Sequence, residues 1–151
     1  MAFTIGGGAT YQRIYDVPMT GPDFWAQIHW GHVGSREAIG LVLRFAPMVT
    51  DYSLTAYGVG AGAFFEERFD RVRLGAIAET DALSITRLKR LESGGGGAIG
   101  GPGLGIGAYA SCDLVRWGDD GRHAILLLLK ANADWHGGVV YGPSAYVGVR
   151  F

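Results

Sequence analysis

Cysteine is nearly missing from the chain: Cys112 stands alone, which excludes an internal disulfide and any CxxC metal site. No run reaches the ~18 apolar residues that mark a transmembrane helix. Charged residues make up only 18%, against a usual ~25%, and the net charge of −1 offers no basic field to nucleic acid. Helical periodicity is nearly absent. Met1-Ala2-Phe3 carries neither a charged n-region nor a long apolar h-region, so no signal peptide is expected, and Met1 is read as a start set on a mature chain. The 151 residues fit one domain, 1–151, long enough to bury a core.

Glycine, by contrast, is abundant at 26 residues. It follows no Gly-X-Y period, which excludes collagen, and it lies inside apolar runs rather than in a linker. Around it the chain alternates with period 2. Phe3, Ile5, Gly7, Ala9 and Tyr11 oppose Thr4, Gly6, Gly8, Thr10 and Gln12, and Phe24, Ala26, Ile28 and Trp30 oppose Gln27, His29 and Gly31. The pattern recurs over 37–46, 54–66, 72–79, 103–114 and 144–151, while 123–131 is apolar on both faces except for Lys130. Eight strands result, each of ~9–13 residues, the length a tilted strand needs to cross a hydrocarbon layer.

Short connections (Gly34–Arg36, Glu67–Asp70, Gly118–Gly121) alternate with longer ones (Asp16–Asp23, Pro47–Ser53, Thr80–Pro102, Asn132–Pro143). Short turns on one side and long loops on the other is the pattern of outer-membrane barrels, the short set being periplasmic. The expected fold is therefore all-β: an eight-stranded antiparallel up-and-down transmembrane β-barrel.

Which face is apolar separates a membrane barrel from a soluble one. The non-apolar face is mainly glycine with about one charge per strand: Arg44, Glu66, Arg73, Glu79, Asp113, Lys130 and Arg150. Glycine at alternate positions makes a poor solvent face but suits a narrow interior. Charges of both signs can pair there, which makes their burial tolerable. Aromatic residues fall at strand ends. Trp30, Phe65, Phe69, Trp117 and Phe151 lie near the short turns; Tyr11, Tyr15, Phe24, Phe45, Tyr52, Tyr57, Trp135 and Tyr141 lie towards the long loops. Two such belts are what lipid headgroup regions select.

The segment Tyr146-Val147-Gly148-Val149-Arg150-Phe151 resembles the terminal strand of outer-membrane proteins. The chain as a whole is similar in architecture to the small OmpA/OmpX-like barrels. The resemblance implies a bacterial outer-membrane location, a monomer, and a C-terminal strand (Val147, Val149, Phe151) read by the barrel-assembly machinery.

Chemistry-bearing patterns are few. Gly94–Gly97 and Gly100–Gly103 lack the GK[ST] of a phosphate loop, and His29, His32, His123 and His136 show no HxxxH spacing, so neither a cofactor nor a metal is expected. Asp81–Glu92 has a helix-compatible pattern, read as a loop or a continuation of strand 5. Its Arg87, Lys89 and Arg90 would suit lipopolysaccharide phosphates. Asp134, His136 and Ser144 carry the residue types of a lipid-modifying hydrolase or acyltransferase, the alternative to a non-enzymatic structural, anchoring or surface-loop role. A soluble barrel binding an apolar ligand is the third reading.

Overall fold

The computed structural model describes residues 1–14, 16–31, 36–49, 54–87, 99–118 and 122–151. Its strands are β1 (Ala2–Ile14), β2 (Val17–Trp30), β3 (Glu37–Val49), β4 (Leu54–Phe69), β5 (Val72–Arg87), β6 (Ile99–Trp117), β7 (His123–Trp135) and β8 (Val139–Arg150). Each pairs antiparallel with its sequence neighbours, and β8 returns to β1 to close the barrel. At the seam the amide of Phe3 donates to the carbonyl of Phe151 at 3.1 Å, and that of Phe151 to Phe3 at 2.8 Å. Closure leaves no edge strand to aggregate.

Strand parity sorts the side chains. Ile39, Leu41, Leu43 and Phe45 of β3 are exposed on the outer surface, while Val42 is buried inside. Along β7, Ile125, Leu127 and Leu129 face out and Leu126, Leu128 and Lys130 face in. One irregularity adjusts the phase. The β6–β7 register shifts between Asp113 and Val115, so Leu114 and Val115 are both exposed. Such a bulge adds one residue and turns the following side chains over. Arg116 thereby reaches Asp113, and Trp117 stays on the outer surface.

The interior holds the charges and glycines expected from the sequence, and it holds two apolar clusters besides. Trp25, Val42, Phe64, Ile77, Tyr109, Leu126, Leu128 and Tyr146 form one buried apolar cluster. Ile14, Met19, Ala46, Met48, Ala56, Leu83 and Val140 form a second, towards the loop side. The glycines make room for these residues. The ladder sets Gly6 opposite Trp25, Gly40 opposite Phe64 and Gly75 opposite Tyr109. A Cβ on Gly75 would stand 2.3 Å from the Tyr109 ring, and one on Gly40 would stand 2.5 Å from the Phe64 ring. Each large ring thus lies over a neighbouring glycine, the packing known as aromatic rescue.

The long connections are shorter than expected. Strand β2 begins at Val17, β3 reaches Val49, β5 reaches Arg87, β6 starts at Ile99, β7 runs to Trp135 and β8 starts at Val139. The described part of Asp81–Glu92 is therefore strand. Pro18, Pro22, Pro47, Pro102 and Pro143 all lie within strands. The second apolar cluster explains the extension. Its members continue the inward parity of their strands past the prolines, and burying them keeps the chain extended. The strands reach 12 to 19 residues, longer than the ~9–11 needed to cross hydrocarbon.

Candidate functional site

The inward positions build a column of paired charges. At the short-turn end Arg150 forks onto Asp113, its Nη1 and Nη2 each donating at 2.8 Å, and Arg116 Nε donates to the same carboxylate at 2.9 Å. One level further in, Glu66 accepts from Arg73 Nη1 at 2.7 Å, from His29 Nδ1 at 3.2 Å and from the Tyr109 hydroxyl at 2.7 Å. His29 Nε2 in turn meets the Thr4 hydroxyl at 2.9 Å. Phe64 packs edge-on against both His29 and Tyr109, so the polar level is walled by the first apolar cluster.

Beyond that cluster lies a second polar compartment. Fully buried Asp23 accepts from Arg44 and from the Tyr146 hydroxyl at 2.8 Å. Ser144 shares a 2.8 Å hydrogen bond with Thr10, and Gln12 Nε2 donates to Thr10 and to Asn132. Asn132 Nδ2 donates in turn to Asp134. Lys130 Nζ meets Glu79 at 2.7 Å. At the rim His136 bridges Asp81 and the carbonyl of Gly101. The second apolar cluster belongs to this loop-side end as well.

All seven charges assigned to the interior face inward here. They pair as Arg73–Glu66, Lys130–Glu79 and Arg150–Asp113, with Arg44 on Asp23. A buried charge without a partner costs several kcal/mol, so pairing is what lets this column exist. Sequence reasoning missed Asp23, which fell in a supposed loop. Its parity with Gln27 and His29 was the signal that could have placed it.

Asp134, His136 and Ser144 are not brought together as a triad. Ser144 stands opposite Lys130, and His136 lies six residues beyond Lys130, about 20 Å at ~3.3 Å per residue. Ser144 bonds to Thr10 and Asp23 instead. No group of His, Cys, Asp and Glu among the described residues has the geometry to hold a metal. Arg87 closes β5 by its backbone, but its side chain lies outside the described residues, as do Lys89 and Arg90. His32, Tyr15 and Tyr52 lie outside them too. Val147 and Phe151 are exposed on the outer surface, and Val149 is half-buried between them.

The outer surface carries the aromatic residues. Trp30, Phe65, Phe69, Trp117 and Phe151 are exposed at the short-turn end; Tyr11, Phe24, Phe45, Tyr57, Trp135 and Tyr141 are exposed towards the other. Trp117 stacks on His123, which meets Phe151 edge-on. Arg36 lies 4.7 Å over the Phe69 ring.

No family model matches the chain, and no curated protein matches its sequence. Solved structures do. The N-terminal β-barrel domain of OprF from Pseudomonas aeruginosa superposes with a TM-score of 0.66 at 12% identity, covering 99% of this chain and 97% of that one. Neisserial surface protein A gives 0.61 at 15% identity, with coverage of 99% and 97%. Ail, the attachment invasion locus protein of Yersinia pestis, gives 0.60 at 13%, with coverage of 99% and 98%. The likeness spans whole barrels on both sides, and what it establishes is the fold: a closed eight-stranded antiparallel barrel of the small outer-membrane kind.

Proposed function

We propose that this chain is an integral protein of the bacterial outer membrane with a structural, anchoring or surface-loop role and no open pore. The outer surface carries this reading. Ile39, Leu41, Leu43, Val59, Leu74, Ile106, Leu127, Leu129 and Val147 are all exposed there, while the charges of the strand centres are paired inside. A soluble barrel holding an apolar ligand needs the opposite arrangement. In water such a continuous apolar surface would be an aggregation liability, and in lipid it is the transfer gain itself. Flanking Trp, Tyr and Phe suit the headgroup regions. The two apolar clusters and the charge column fill the interior, which supports a barrel without a conducting lumen.

The same reading assigns Arg87, Lys89 and Arg90 to lipopolysaccharide phosphates outside the membrane. It gives β8, with Val147, Val149 and Phe151, to the barrel-assembly machinery, and takes the chain as a monomer. The distance between Ser144 and His136 favours it over a lipid-modifying enzyme. The test is partition of the refolded protein between detergent and aqueous phases, with gel migration before and after boiling. Detergent partition and a mobility that changes on heating are expected. A chain that stays in the aqueous phase with unchanged mobility overturns the membrane reading.

A further inference from the structure

We propose that His136 and Asp81 form a proton-dependent latch that shuts the loop-side mouth of the barrel by tying the β7–β8 turn across β6 to β5. The inference rests on the barrel fold and not on the membrane reading. His136 sits in a turn, yet its side chain is only 1% exposed. Its Nε2 lies 3.0 Å from Asp81 Oδ2 on β5, and its Nδ1 lies 3.1 Å from the Gly101 carbonyl on β6.

Both partners are acceptors, and a neutral imidazole has one N–H to offer. Both bonds form together only if the pair holds an additional proton, giving an imidazolium facing a carboxylate or a neutral ring facing a protonated Asp81. Removing that proton sets a bare ring nitrogen against an acceptor, and one strap of the latch is lost.

The strands leave a place for this ring. Strand β6 pairs with β5 from Ile99 onward but with β7 only from Leu104. The stretch before Leu104 therefore shows a free ladder edge on the β7 side, and His136 lies against it. A Cβ on Gly103 would stand 2.5 Å from the ring, so a glycine at that position is what admits it.

Acidic side chains crowd the latch. Asp81 and Glu79 come from β5, Asp134 and Lys130 from β7, Arg44 from β3 and Asp23 from β2. Among the described residues, four carboxylates thus share the compartment with two fixed cations, and Asp81 Oδ1, Glu79 Oε2 and Asp134 Oδ1 are buried without a donor. Asp134 Oδ1 and the Glu79 side chain both close on Gly105, and Glu79 Oε2 and Asp81 both lie beside Gly60, so these acids are neighbours. The proton count sets the sign: the mouth is latched in acid and released as pH rises.

The experiment uses the refolded barrel at about pH 5 and about pH 8, the span over which imidazoles change charge. Nitrogen NMR of the labelled His136 ring reads its protons directly, and exchange of the Gly101, Gly103 and Leu104 amides, corrected for intrinsic rate, reads the latch. The expected result is an additional proton on the pair at the lower pH, with protection falling about tenfold by the higher one, as for one lost charge-assisted hydrogen bond. His136→Gln keeps a donor but cannot titrate, so its protection should not change between the two conditions. Asp134→Asn, which removes a neighbouring acid, should keep the change. Equal wild-type protection at both pH values, or the same pH dependence in His136→Gln, overturns the proposal. Should His136→Gln fail to fold, the wild-type ring decides: an unchanged protonation state of the pair across the range overturns the latch.

Discussion

Arg44 on β3 and Asp23 on β2 meet diagonally inside the barrel. The ladder sets Arg44 opposite Trp25, and its Nη2 and Nε reach back to a single Asp23 oxygen at 2.7 and 2.9 Å. Both groups are held away from solvent, Asp23 completely. Asp23→Ala should therefore cost about 3–5 kcal/mol, because Arg44 keeps its charge and loses its counterion. Joining it to Arg44→Met should recover most of that loss. Urea unfolding midpoints of the three variants in one lipid mixture check it; an Asp23→Ala midpoint equal to wild type would show the pair contributes nothing.

The Gly75–Tyr109 pair predicts a different failure. Tyr109 lies over Gly75 and donates to Glu66 at 2.7 Å. Gly75→Val should push the ring aside and cost ~1–3 kcal/mol through overpacking. Tyr109→Ala in that background should restore part of the stability by vacating the space. If the double variant is worse than either single one, the glycine is not serving the ring.

How the sequence relates to this interior is instructive. Alternation made the strands and the outward Ile39, Leu41, Leu43 set legible, because parity is a local property. Register is not local. Gly75 and Tyr109 are 34 positions apart, and only the β5–β6 ladder sets them opposite. The glycines could thus be read as belonging to a narrow interior, but the rings they accommodate could not be named. Asp23 and Asp81 were obscured differently, since Pro22 and the basic run after Ser84 read as loop. Inward packing of Met19, Met48, Leu83 and Val140 overrides that local preference. The bulge at Asp113–Val115 left no sequence mark, so Arg116 could not be assigned to the interior beforehand.

Gly137 isolates a backbone effect. Its φ is +76°, and nothing stands within 4 Å of an added Cβ, so only conformation opposes a side chain there. Gly137→Ala should cost ~1–2 kcal/mol, and Gly137→Asn less, since Asn visits this region more readily. Thermal unfolding of the two variants should rank them in that order.

Ser144 and His136 should behave as strangers. Their separation along the β7–β8 hairpin places them well beyond contact. A double-mutant cycle of Ser144→Ala and His136→Ala should give a coupling below about 0.5 kcal/mol, against 0.5–3 for residues in one network. The same variants, tested for hydrolysis or acyl transfer on phospholipid and lipid A, should match wild type. Turnover abolished by both substitutions in folded protein would instead establish a shared catalytic site.

Depth across the outer surface supplies the last prediction. Leu41 is 48% exposed near the centre of β3, opposite Ile28 and Ala63. Leu104 is 74% exposed but stands opposite Trp135, at the loop-side aromatic level. In water the more exposed residue would tolerate a charge better, and neither substitution would cost much. In lipid the cost follows depth instead: an arginine near the midplane costs ~2–4 kcal/mol, while one at the interface costs ~0–1 because its guanidinium reaches the headgroups. Leu41→Arg should thus destabilise the barrel severalfold more than Leu104→Arg, measured by reversible unfolding from bilayers. Ile106→Arg, two residues further into β6, should fall between them. The gradient should shrink in short-chain detergent, where the apolar layer is thin and deformable. Equal costs at Leu41 and Leu104 in bilayers would mean that the outer surface does not sit across a membrane, whatever the fold resembles.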